Sequence, residues 1–184
     1  IVDGAGAVTP QTATVTIAGV NDAPVAAGET LTFEEDGDPV GAANVLANES
    51  DPDAGDSVFV AMAGGVAVGT PFLVTATSGR SGMATFQADG SVAFDPSGFG
   101  DLAAGETDSV TIDYQVTDNH GGVADATVTV VVQGQNAAPA ANPLTVTGDE
   151  DTVIAGQIAA TDPDATDVLT YTLLSQAGDG TVSL

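Results

Sequence analysis

The sequence predicts an all-β protein built from tandem antiparallel β-sandwich repeats, and three observations carry that prediction. Short runs alternate apolar and polar residues, with no helical periodicity anywhere. Gly-, Asn- and Asp-rich turn signals separate the runs. The beginning of the chain also matches its end at an offset of 115 residues.

The element predictions follow the chain. Residues 25–34 read as one extended strand, followed by runs at 30–33 within it, 40–47, 57–63, 66–77, 83–88 and 91–95. Val110-Thr-Ile112-Asp-Tyr114-Gln-Val116 alternates strictly, and Val128, Val130 and Val132 continue the pattern. Asp118-Asn-His-Gly121-Gly122 between them has the composition of a hairpin turn. About seven to nine strands in roughly 110 residues is the strand density of a sandwich.

The repeat fixes the organisation. Asp3 falls on Asp118, Gly6 on Gly121, Gly19 on Gly134, Asn21 on Asn136, Pro24 on Pro139 and Glu35 on Glu150. After a four-residue length change, Asp51-Pro52-Asp53 falls on Asp162-Pro163-Asp164, and Asp56 on Asp167. Residues 1–20 are therefore expected to end one repeat, 21–135 to form a complete one, and 136–184 to begin a third. The chain starts and stops without punctuation, so a piece of something longer is expected; no secretory leader and no apolar run of transmembrane length is visible.

Composition narrows the function. Hydrophobic residues are 43% but aromatics only 4%, so the core must rest on Val, Ile, Leu and Ala, a mix that favours strands. Asp and Glu number 26 against one basic residue, Arg80, for a formal charge of −25. Nothing here can neutralise phosphates, which excludes nucleic acid as a partner and disfavours anionic membranes; membrane insertion is not expected. Two carboxylates about 4 Å apart repel by roughly 4 kcal/mol near a protein surface. Acids gathered by the fold therefore need cations from solution. The absence of Cys removes disulfides and thiolate zinc sites.

Several motifs carry a resemblance. Phe94-Asp-Pro-Ser-Gly-Phe99-Gly-Asp-Leu102-Ala-Ala-Gly105-Glu-Thr, then Tyr114-Gln-Val-Thr-Asp118-Asn-His-Gly-Gly122, resembles the tandem cadherin-like, VCBS-type repeats of large bacterial surface proteins. The linker Gly19-Val-Asn21-Asp22-Ala-Pro24 and the Glu34-Glu35-Asp36 and Asp51-Pro-Asp53 strings are similar to the same family, so the resemblance covers essentially the whole chain. It implies an Ig-like or cadherin-like sandwich, calcium between repeats, secretion to the bacterial cell surface, and a part in adhesion or biofilm.

Strand direction sorts the acids independently of that resemblance. With the Asn21-Asp22 linker at the top, a strand over 25–34 spans roughly 30 Å and sets Glu35 at the bottom. A return strand brings Asp51, Asp53 and Asp56 back to the top, and the upward strand 108–117 delivers Asp118 and Asn119 there. The expected upper pole is Asn21, Asp22, Asp51, Asp53, Asp56 and Asp118. At the lower pole, Glu35 and the loop with Asp101, Glu106 and Asp108 face Asn136, Asp162 and Asp164 of the next repeat, with Glu150 and Asp167 as the remaining copies. Oxygen-only poles suit Ca2+, which takes six to eight oxygens in irregular geometry, better than zinc, copper or magnesium. The resemblance favours Glu35, Asp51 and Asp53 as ligands. The second linker has Ala137 where the first has Asp22, so fewer or weaker ions are expected there.

Other chemistries fail on their parts. Asp51–Asp56 is not an EF-hand, since Met62 stands where a bidentate Glu is needed. His120, the only histidine, reads as a surface turn residue, and without Cys or Lys no catalytic triad or Ser-Lys dyad assembles. A glycosidase needs an aromatic-lined cleft, and there is no Trp and only two Tyr. No enzyme is expected. Arg80 reads as a solvated residue on a Gly/Ser-rich loop, with contact to a neighbouring acidic pole as the alternative. The leading expectation is a repeat of an extracellular bacterial surface protein or filament, rigidified by calcium against its neighbouring repeats. Three alternatives stand beside it: a module binding a cell-surface glycan or protein through the 64–90 stretch, a subunit that polymerises with other copies by strand exchange, and acids that merely solvate a halophile's surface.

Overall fold

Among the residues that the computed structural model describes, 1–37 and 44–184, the chain forms ten strands and no helix. They are β1 (Glu29–Glu34), β2 (Phe59–Ala63), β3 (Val66–Ala67), β4 (Phe72–Thr75), β5 (Ser81–Phe86), β6 (Val92–Gly98), β7 (Thr107–Thr117), β8 (Val123–Gln133), β9 (Ala140–Asn142) and β10 (Ala159–Thr161). One sheet has the order β1-β8-β7-β2-β3, a second β4-β5-β6, and β9 pairs with β10 alone.

The long hairpin β7–β8 is where the apolar alternation is strictest. Its register runs unbroken from Thr107↔Gln133 to Thr117↔Val123. Period-2 side-chain direction sends Val110, Ile112, Tyr114 and Val116 of β7, and Val128, Val130 and Val132 of β8, to one buried face. Leu31 and Phe33 of β1 continue that face, and Ala84, Phe86, Val92 and Phe94 of the second sheet close over it. The few aromatics cross between layers: Phe33 meets Phe94 at a centroid distance of 5.4 Å, and Phe86 meets Tyr114 at 6.2 Å. This is a β-sandwich with an aliphatic core and a thin aromatic seam.

Two strand expectations are corrected. The extended segment 25–34 changes partner along its length. Val25 makes an isolated antiparallel bridge with Ser50, then Glu29–Glu34 lies parallel to Val128–Gln133, the one parallel pairing among the described residues. The run 66–77 divides into β3 and β4, because a turn closed by Thr70 N donating to the Ala67 carbonyl interrupts it. Of the expected strand at 40–47, residues 40–43 lie outside the described residues; Asn44 bridges Ser91, Val45 is fully buried, and the chain then turns.

The 64–90 stretch forms β3 to β5 rather than a free loop, with Phe86 buried and Phe72 stacked on it at 6.1 Å. The 115-residue repeat is also visible in turn geometry. Asp118 Oδ1 accepts the amides of His120 and Gly122 at 2.7 and 2.8 Å, and Asp3 Oδ1 accepts those of Ala5 and Ala7 at 2.9 and 2.8 Å. Gly121 and Gly6 both take the left-handed conformation such a turn needs, at φ 95° and 88°.

Tyr114 ties the two ends of the incoming segment together. Its hydroxyl lies 2.8 Å from Glu49 Oε1 and within 3.3 Å of the Ala27 and Val45 carbonyls. Burial, then the Glu49 carboxylate, push the phenol pKa well above its ordinary range, so it serves as a fixed donor. Tyr114→Phe is expected to cost about 1–3 kcal/mol in chemical denaturation by stranding Glu49. Phe94→Ala, which opens the centre of the aromatic seam, is expected to cost about 3–5 kcal/mol in the same measurement.

Candidate metal centre

Hairpin direction brings two groups of acids together. At the upper end, β7 delivers Asp118 into the turn before β8, beside the loop 51–56 and the linker at Asn21. Carboxylate oxygens of Asp51, Asp56 and Asp118 lie within 4.8 Å of one another. At the lower end, Asp162, Asp164 and Asp167 meet the same criterion, next to the linker leaving β8.

Both loops are built by the same short-range chemistry. Asp53 N donates to Asp51 Oδ1 at 2.8 Å, and Asp164 N to Asp162 Oδ1 at 3.0 Å. Asp56 N reaches the Asp53 carbonyl and Asp167 N the Asp164 carbonyl, each at 3.1 Å. Each loop then grips its linker by a backbone amide: Asp22 N to Asp53 Oδ2 at 2.7 Å, and Ala137 N to Asp164 Oδ2 at 3.0 Å. Asn21 and Asn136 both turn their side-chain amides onto the following carbonyl, at 3.0 and 2.9 Å. The local hydrogen bonds fix the loops that bring these carboxylates together, as Asp-Pro-Asp turns allow.

Burial makes this arrangement costly without a cation. Asp164 is only 2% exposed, and among the described residues its Oδ1 has no hydrogen-bond partner; Asp51 Oδ2 is likewise buried and unpartnered there. A buried carboxylate oxygen left unpaired is heavily disfavoured. Like charges held within 4.8 Å of one another repel, and burial strengthens that repulsion. Hard oxygen donors converging from side chains suit calcium.

The remaining sequence candidates distribute as follows. Asn21 joins the upper group through Asp118, donating Nδ2 to its Oδ2 at 2.9 Å; this bond holds the Asp118 carboxyl pKa below its ordinary value. Asp22 contributes its amide to the loop, while its side chain is not among the three converging carboxylates, so Ala137 supplies the same contact. Glu35 is buried at the lower end, where Oε2 accepts Leu102 N at 3.2 Å and Oε1 accepts Gln135 N at 3.0 Å. Glu150, its copy, is exposed and belongs to neither group.

Two residues do more than the sequence suggested. His120 is exposed in its turn, but Nδ1 lies 2.8 Å from Asp56 Oδ2, and that carboxylate raises the imidazole pKa. Arg80 is not solvated: its side chain is 25% exposed and paired with both Asp101 and Asp108. Its pairing lowers the Asp101 carboxyl pKa; at Asp108 burial opposes, but Ser78, the Ser109 amide and Arg80 prevail and lower it too. The signal available in the sequence was its solitude among 26 acids.

A two-layer sandwich with acidic turns at both ends is consistent with a cadherin-like domain. A profile of the bacterial cadherin-like domain matches residues 21–134, well over half of the chain, and the chain belongs to that family, which is non-catalytic. No curated protein matches the chain.

Asp164→Asn keeps the shape of the lower site and removes one charge. In chelator it is expected to leave the melting temperature unchanged or raise it, because repulsion is relieved. In millimolar calcium it is expected to fall below the parent protein. Paired thermal melts with and without chelator check this reversal of sign.

Proposed function

We propose that this chain is a calcium-binding structural and adhesive segment of an extracellular bacterial surface protein. Residues 1–20 end one repeat, 21–135 form a complete sandwich, and 136–184 begin the next. Calcium held by Asp51, Asp56 and Asp118 above, and by Asp162, Asp164 and Asp167 below, removes carboxylate repulsion and bending freedom at each junction. Asn21, Asp22, Asp53 and Asn136 shape the loops, and Glu35 anchors the linker from inside. The observation that carries the proposal is the buried Asp164 carboxylate, with one oxygen unpartnered among the described residues and the other holding the segment that follows β8. Placement outside the cell agrees with the family, whose members typically sit on extracellular proteins. The partners in this reading are the neighbouring repeats, with a cell-surface glycan or protein, or other copies in a filament, as the adhesive target.

Calcium titration tests it. A ligand at about one hundred times its Kd stabilises the folded form by about 2.7 kcal/mol, a shift of several degrees for a domain of this size. Melting temperature is therefore expected to rise with calcium, with a weaker response to magnesium, and chelator is expected to open the 134–140 linker to protease. A melting temperature indifferent to millimolar calcium sinks the proposal.

A further inference from the structure

Arg80, the only Lys or Arg in the chain, sits where the complete repeat meets the following segment. Its Nε and Nη2 donate to Asp101 Oδ1 and Oδ2 at 2.5 and 3.0 Å, a two-pronged grip, and Nη1 donates to Asp108 Oδ2 at 3.2 Å. Ser78 Oγ donates to the same Asp108 oxygen. The guanidinium thus fastens the loop following β6 to the start of β7.

That loop faces the lower carboxylates. The Asp101 carbonyl accepts the amide of Ala165 at 3.3 Å, and Ala165 directly follows Asp164. The next residues, Leu102 and Ala103, are buried. Leu102 N donates to Glu35, whose other oxygen takes Gln135 N, and Gly134 N donates to the Glu106 carbonyl at 2.9 Å. A Cβ on Gly134 would lie 2.3 Å from the Ala103 carbonyl oxygen, so loop and linker pack backbone to backbone. The segment 101–106 is therefore joined to the linker on one side and to the Asp162–Asp167 loop on the other.

We infer that Arg80 is the positioning residue of the lower cation site, holding the Asp101 loop so that its carbonyl orients the Asp164–Asp167 turn; the inference rests on the cation reading above. Without the guanidinium, Asp101 and Asp108 lose the counter-charge they share, and the loop swings towards water. An isolated exposed ion pair contributes little. This one is a two-pronged contact shared between two acids, and it acts through the Asp101 backbone. It also withdraws Asp101 and Asp108 from the supply of cation ligands.

The test uses the whole chain with Arg80→Gln, Arg80→Lys and Asp164→Asn. In chelator, amide hydrogen exchange at Ala165 and Gln135 is expected to speed severalfold in Arg80→Gln, with the 118–122 turn unchanged. Calorimetric calcium titration assigns the lower step as the one lost in Asp164→Asn. Arg80→Gln is expected to weaken that step about tenfold, the usual scale for a residue that orients ligands, and to leave the upper step alone. Arg80→Lys, which keeps the charge and loses the fork, falls between. Exchange and lower-step affinity like the parent's, or equal loosening at both ends, overturns the inference. If the parent takes up no calcium, the proposed function falls while the exchange result still decides the role of Arg80. Should Arg80→Gln fail to fold, Arg80→Lys decides by the same exchange readout.

Discussion

Repulsion between carboxylates is the constraint on which the rest of the molecule turns. The chain carries 26 acids and one guanidinium, and among the described residues the fold gathers six of the acids into two groups of three. Hairpin geometry sends Asp118 to one end of the sandwich, and the Asp-Pro-Asp loops are pinned by their own amides with oxygens facing one another. The sandwich tolerates this because its core lies between the two ends. Val110 to Val116 and Val128 to Val132 supply a hydrophobic interior that owes nothing to charge. The consequence is a division of labour: the body of the domain is held by apolar burial, and its ends carry acidic groups that could hold metal ions.

Much of this was legible in the sequence, for physical reasons that can be named. The period-2 pattern of β7 and β8 is local, so it announced both the strands and their buried face. Equal spacing of Asp51, Asp53 and Asp56 with Asp162, Asp164 and Asp167 announced two copies of one loop. Less local features stayed hidden. The partners of Arg80 lie 21 and 28 residues away and meet it only through the β5–β6–β7 path. The switch of segment 25–34 from Ser50 to β8 is a tertiary choice that alternation cannot encode. The linker contact made by Asp22 and Ala137 uses a backbone amide, which has no sequence signature; an acid lost between the two linkers therefore changes less than its side chain suggests.

The two ends are built alike but neutralised differently. The upper carboxylates have an asparagine amide and an exposed imidazole beside them. The lower ones have a buried Glu35 beneath the linker and the Arg80 fork on the adjoining loop. One arrangement leaves the charge to solvent and whatever it contains, while the other brings a permanent cation within one loop of the site.

The parallel pairing of β1 with β8 has a mechanical consequence. The chain enters the repeat at the upper end, leaves it at the lower end, and sets its first and last long strands side by side over the register Glu29↔Val128 to Glu34↔Gln133. A pull along the chain draws these two strands past each other along their length. Their ladder of hydrogen bonds is then loaded together, in shear, rather than opened one rung at a time. A sandwich pulled from its two ends in this way resists force where a simple hairpin would unzip.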